Sequence, residues 1–154
     1  MEIIKKIKNL LIILCLFYNS TAIALENKIL FKVNNEIITS IDIFNEIKYL
    51  KILNKNLQSL KQNQIFEISK NSILREKVKI IELSKYYESF DVDEKFYELL
   101  MQDFIKKLGL RTKKEAKEYL KNNEVDFDDV KRKIKIELLW NDLIVRKYSK
   151  DIKI

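Results

Sequence analysis

The sequence contains no proline and no histidine, a single glycine (Gly109) and a single cysteine (Cys15). Without histidine, Ser-His triads, Cys-His dyads and Cys/His zinc sites are excluded as a basis for activity. With no proline and one glycine there is no flexible linker, no low-complexity tail and no glycine-rich phosphate loop. No internal repeat is visible, and no cofactor or metal is expected. Cys15 sits in the first apolar run, so the remainder of the chain has no thiol for a disulfide. Its core alone must hold it together.

What is present begins with a leader. Lys5, Lys6 and Lys8 precede an uninterrupted apolar run from Leu10 to Phe17, and Ala22-Ile23-Ala24 places small residues where a signal peptidase reads them. This pattern predicts a secretory signal over residues 1–24, cut after Ala24. The run is well short of the ~20 apolar residues that span a bilayer, which disfavours an uncleaved anchor. Bulky Leu14 before Cys15 disfavours a lipoprotein. Of the 154 residues, those from 25 onward make one ordinary domain.

Lysine and arginine total 30 against 23 acids, for a net charge of +7. Only Arg75, Arg111, Arg132 and Arg146 are arginine, and the lysines are spread through every segment among acids. A solvated surface explains this pattern better than a nucleic-acid footprint, and export argues further against nucleic acid.

The mature chain reads as mainly α, with a short N-terminal β-hairpin and about five helices. Ile29, Phe31 and Val33 alternate as a half-buried strand, and Asn34-Asn35 suit a two-residue type I′ loop. Glu36 to Thr39 is the returning strand, in a register that sets Phe31 opposite Ile38 with Ile29 and Val33 on the apolar side. Thr39 and Asp42 stand at capping-box spacing, so a helix starts there and runs to about Leu53. Asparagines and glutamines interrupt from Asn54 to Gln64. A second helix follows to about Tyr87, carrying Ile73, Val78, Ile80, Ile81 and Leu83.

Asp93 caps a third helix whose stripe is Phe96, Leu99, Leu100, Phe104 and Leu108, closed by Gly109. Thr112 and Glu115 form the capping box of a short helix ending at Asn122-Asn123. Asp126 caps the last helix, to about Ser149, with Val125 and Val130 as a hydrophobic staple. From Ile136 to Val145 that helix is apolar on several faces and needs cover on more than one side.

This order of features resembles the N-terminal, chaperone-core domain of SurA-type periplasmic chaperones. The family pattern V-N-x-x-I-I-T-x-x-D is similar to Val33-Asn34-Asn35-Glu36-Ile37-Ile38-Thr39-Ser40-Ile41-Asp42. Leu74-Arg75-Glu76-Lys77-Val78, continuing through Ile80, Ile81 and Leu83, resembles L-R-x-x-V-x-x-x-L-I-x-x-x-L with one residue fewer in spacing. Val92-Asp93-Glu94, Gly109-Leu110 with Thr112 to Glu115, and Val125-Asp126-Phe127 leading through Lys131, Ile134, Leu138 and Ile144 to Arg146 follow in family order. The likeness runs from about Lys28 to Ile154.

The resemblance implies a periplasmic chaperone that binds extended, aromatic-rich segments of unfolded outer-membrane proteins. Full-length members continue into parvulin-type prolyl isomerase domains and a C-terminal helix that packs back on this domain. Asp151 to Ile154 fall about where the linker to a parvulin domain begins, and no parvulin catalytic motif is present, so no catalytic residue is expected here. The alternatives are a fragment of a peptidyl-prolyl isomerase and a self-associating structural module, a homodimer burying its Trp140 surface.

Without the family's C-terminal helix, the stretch around Trp140 is expected to lack its family cover. The client-contact candidates are therefore Trp140 with Ile136, Leu139 and Leu143, and Phe127 further back. The acids Glu124, Asp126, Asp128 and Asp129 lack the central glycine and distant glutamate of an EF-hand, and read as complements to a helix N-terminus. Glu82, Glu88, Asp91, Asp93 and Glu94 likewise read as caps and solvated acids, because nothing fixes a separation for paired-carboxylate hydrolysis.

Overall fold

A computed structural model describes residues 27–149. The stretch read as a signal segment, residues 1–24 with an expected cut after Ala24, and the closing residues 150–154, lie outside the described residues. The order is β1 (Ile29–Val33), β2 (Glu36–Thr39), α1 (Ser40–Leu53), a 3-10 turn (Lys55–Ser59), α2 (Gln62–Leu83), α3 (Glu94–Lys107), α4 (Lys113–Asn122) and α5 (Phe127–Tyr148). The expected mainly helical fold, with five helices behind a two-stranded antiparallel hairpin, is what the described residues form.

The hairpin takes the expected register: Phe31 pairs with Ile38 and Val33 with Glu36, with an irregularity between Ile29 and Phe31. Of the two loop residues only Asn34 has positive φ, at 52°. Positive φ at the first loop position alone is the pattern of type II′ rather than the expected type I′. A lone hairpin is marginal in water, and this one is held by Ile38, Ile43 and Ile73, a buried cluster joining it to α1 and α2. Ile29, expected on the apolar side, lies beyond that cluster and is exposed.

Thr39 and Asp42 form the reciprocal capping box: the Thr39 amide donates to Asp42 Oδ2 at 2.7 Å, and the Asp42 amide donates to Thr39 Oγ1 at 3.3 Å. At α4 the box is half made. The Glu115 amide donates to Thr112 Oγ1, but the Glu115 carboxylate accepts from the Arg111 amide one residue further back. Helix α2 starts two residues earlier than its pattern predicts and stops at Leu83, giving way to turns that carry Tyr87 and Phe90.

Helix α5 is the central element, packing against α2, α3 and α4. The main core joins Ile52 of α1, Tyr97, Met101, Phe104 and Ile105 of α3, Leu120 of α4, and Val130 and Ile134 of α5. The staple pair Val125 and Val130 is buried within it. The α3 stripe needs a correction. Tyr97, Met101, Phe104 and Ile105 face inward, whereas Phe96, Leu99 and Leu100 are exposed. Phe44 of α1 is also exposed, its ring 4.1 Å from the Lys48 ammonium.

Candidate functional site

On α5, Ile136, Leu139 and Leu143 recur at helical spacing on one stripe, which turns toward the end of α2. There they meet Leu83, which is wholly buried, and the four form a second core cluster. Past Leu83 the chain folds back so that Tyr87, Phe90 and Val92 pack over this cluster. The expectation that this stretch lacks cover is therefore corrected for Ile136, Leu139 and Leu143. The chain's own turn region after α2 supplies it.

Trp140 lies on the neighbouring stripe and is half-buried, packed on that cluster along one side. The Lys79 ammonium stands 5.8 Å from its ring centroid and pairs with Glu137 at 2.5 Å. On its outer side opens a shallow recess of about 270 Å³, bounded by Val78, Trp140, Ile144 and Tyr148. Val78 is 53% exposed and Tyr148 46%. A water-facing surface of valine, isoleucine, tyrosine and one tryptophan edge is an apolar patch with polar tips, suited to transient contact.

The rim of this recess is paired. The Lys147 ammonium donates to the Tyr86 hydroxyl at 3.2 Å and to Glu82 at 3.5 Å, and the Tyr86 bond chiefly raises its pKa above the ordinary lysine value. Glu82 is held below the ordinary carboxylate value, first by the hydrogen bond from Lys85 and then by Lys147. A paired rim around an apolar centre can capture a side chain. Among the described residues no group of three or more His, Cys, Asp or Glu side chains is arranged to hold a metal ion.

Phe127 does not join this site. It stands at the start of α5, about 20 Å along the helix from Trp140, half-buried against the main core with the Lys117 and Lys131 ammonium groups 5.2 and 5.6 Å from its ring. The structure brings Ile136, Leu139, Trp140 and Leu143 together and leaves Phe127 elsewhere. Val78 is the rim residue that the apolar stripe of α2 hides: it is five residues past Ile73, about 140° around the helix.

Sequence reasoning also missed a buried ion network between α1, α2 and α5. Lys133 donates to Glu46 at 2.8 Å and to Glu76 at closer range, and Arg132 donates to Glu76 at 2.6 Å. Burial works to raise the Glu76 carboxyl, but Lys133 and Arg132 outweigh it and hold the group below its ordinary value. Burial likewise works against the Lys133 charge, yet Glu46 and Glu76 hold it protonated above the ordinary lysine value. Tyr49 stacks 5.0 Å from the Lys133 ammonium, and burial chiefly, with Glu46 and Glu76 beside it, pushes its phenol up. A signal exists in the sequence: Glu46 falls three residues after Ile43 and four before Leu50, on the apolar face of α1.

Asp126, Asp128 and Asp129 stand at the N-terminus of α5 as expected, whereas Glu124 instead pairs with a lysine of α1. Asp126 caps the helix by accepting from the Asp128 amide at 2.8 Å, and Glu124 pairs with Lys48 at 2.6 Å. Among the described residues no helix is long and apolar enough to cross a membrane. Comparison with protein-family models, with curated proteins and with solved structures gave no match.

Proposed function

We propose that this chain is a periplasmic, SurA-type chaperone domain that captures extended, aromatic-rich segments of unfolded outer-membrane proteins without catalysing a reaction. The observation that carries this reading is the recess beside Trp140, where a half-buried indole shares an open apolar surface with Val78, Ile144 and Tyr148. Such a surface binds by area rather than by direction, so it tolerates many sequences and releases them without ATP. The hairpin leading into five helices, and the leader read from the sequence, agree with the same assignment.

The test is suppression of aggregation of an unfolded outer-membrane porin, comparing wild type with Trp140→Ala and with the double variant Val78→Ser/Tyr148→Ser. The second variant alters exposed side chains and so leaves the core intact. Wild type is expected to suppress aggregation and both variants to lose most of that effect. Equal protection by all three, or a stable dimer that hides Trp140 and gives no protection, overturns the proposal.

A further inference from the structure

A larger groove has Lys79 and Glu137 in its lining and Trp140 outside it. Helices α2 and α3 both pack on α5 but have no substantial packing on each other, and the space between them, lined by α1 as well through Tyr49, Leu50 and Leu53, is a cleft of about 540 Å³. That size is within the usual range for a ligand site. One wall is a single face of α2, with Ile68, Ser72, Arg75 and Lys79 at spacings of three and four. The other is the face of α3 carrying Leu100, Asp103 and Lys107, and the buried Phe104, Ile134 and Ile136 form the floor.

The rims are apolar and open to water: Ile68 is 38% exposed and Leu100 36%. From Ile68 to Lys79 the α2 wall is about 16 Å long, room for about five residues of extended chain.

The cleft lining holds four acids (Glu46, Glu76, Asp103, Glu137) and four bases (Arg75, Lys79, Lys107, Lys133), so it is neutral in sum, but the pairing is uneven. Lys79 is paired with Glu137, and Lys133 with Glu46 and Glu76. Arg75 makes one bond, from Nε to the Asn71 carbonyl at 3.2 Å, and neither Arg75 nor Lys107 has a carboxylate partner among the described residues. Asp103, the remaining acid at the mouth, is held at 3.8 Å by Lys106. An apolar floor with one unpartnered cation on each wall therefore faces solvent. A second copy of a chain with net charge +7 is disfavoured as the occupant, and two exposed cations are too few to track a nucleic-acid backbone.

We propose that this groove is a second docking site, and that its occupant is an apolar stretch of unfolded polypeptide bearing an acidic side chain that meets Arg75 and Lys107. The inference rests on the reading of this chain as a segment-binding protein and adds a second site with a charge preference. Two exposed pairings of this kind give on the order of tenfold in affinity at low salt, and less as salt screens them.

The experiment uses three fluorescein-labelled, tryptophan-free hexapeptides of one apolar sequence, with Asp, Asn or Lys at the central position. Their binding to wild type, Arg75→Glu/Lys107→Glu, Leu100→Asp and Trp140→Ala is read by fluorescence anisotropy. Wild type is expected to prefer the Asp peptide about tenfold over the Lys peptide. The Arg75→Glu/Lys107→Glu variant is expected to reverse that order, Leu100→Asp to weaken all three peptides, and Trp140→Ala to keep the preference.

Equal binding of the three peptides, or a preference that survives Arg75→Glu/Lys107→Glu, overturns this inference and leaves the chaperone reading standing. Failure of every peptide to bind overturns this inference, and the porin aggregation assay then decides the chaperone reading separately. A concentration-dependent dimer abolished by Leu100→Asp assigns the groove to a second copy and overturns the occupant proposed here.

Discussion

The Tyr87 hydroxyl donates a 2.7 Å hydrogen bond to Asp142 Oδ2, joining residues 55 apart in the chain. It fastens the turns that follow α2 across α5, directly over Leu139 and Leu143. Burial chiefly, with Asp142 adding, raises the Tyr87 phenol, while the bond from Tyr87 and then Arg146 lower Asp142. Tyr87→Phe is expected to cost about 1 kcal/mol in urea unfolding at pH 7. Because the Asp142 carboxyl is lowered in the fold, this contribution is present above its ordinary value and fades as pH falls through the lowered one. The gap between wild type and Tyr87→Phe should therefore narrow in strong acid. A gap that widens there contradicts the assignment.

Lys133 is the hinge of the buried ion network, and its removal leaves Glu46, itself only 3% exposed, without its ammonium partner. Lys133→Met is expected to lower stability by about 3–5 kcal/mol in denaturant unfolding at pH 7. The pH profile follows from the directions. Lys133 is raised above 10.5, so its contribution is whole below that value and lost as pH climbs through the raised one. Glu76 is lowered below 4.5, so its contribution is whole above that value and lost as pH falls. Wild type should show a plateau between those limits, and Lys133→Met a lower and flatter curve.

Two helix ends use the same backbone motif with different residues. After α3, Gly109 at φ 77° lets the Leu110 amide donate to the Ile105 carbonyl and the Gly109 amide to Lys106. After α4, Glu124 at φ 55° does the same work, with Val125 donating to Leu120 and Glu124 to Lys121. A Cβ at Gly109 meets nothing within 4 Å, so Gly109→Ala reports backbone strain alone and is expected to cost about 1 kcal/mol. Glu124→Gly should relieve the same strain, at the loss of one solvent-facing pair with Lys48. It is expected to raise the thermal midpoint. A fall in the midpoint implies that the Lys48 pair outweighs the strain.

These residues also show what the sequence could reveal. The hairpin register and the Thr39–Asp42 box are set by neighbours a few residues apart, so local pattern suffices to read them. The core face of α3 was not legible, because the helix carries two apolar stripes and docking on α5 decides which one is buried. Asn122-Asn123 marked the end of α4, yet the left-handed position is taken by Glu124, where the path of the chain requires it. The partners of Lys133 lie 57 and 87 residues away; the place of Glu46 on the apolar face of α1 marks it as a buried acid, but no local pattern says which cation it meets. The cover over Leu139 and Leu143 was hidden for a related reason: it comes from turns, which carry no stripe. Trp140 was legible as an amphipathic side chain on a crowded helix, and its half-buried position agrees.

Trp140 is the only tryptophan in the chain, so its emission reports directly on the recess. The decisive measurement is a fluorescence titration of the purified protein with an unfolded, aromatic-rich porin segment that contains no tryptophan. If the recess captures such segments, the emission shifts to shorter wavelength in a saturable way, and Val78→Ser/Tyr148→Ser weakens the apparent affinity several-fold. An emission maximum that stays fixed while the segment binds, or no binding at concentrations that suppress aggregation, contradicts the assignment of capture to this site.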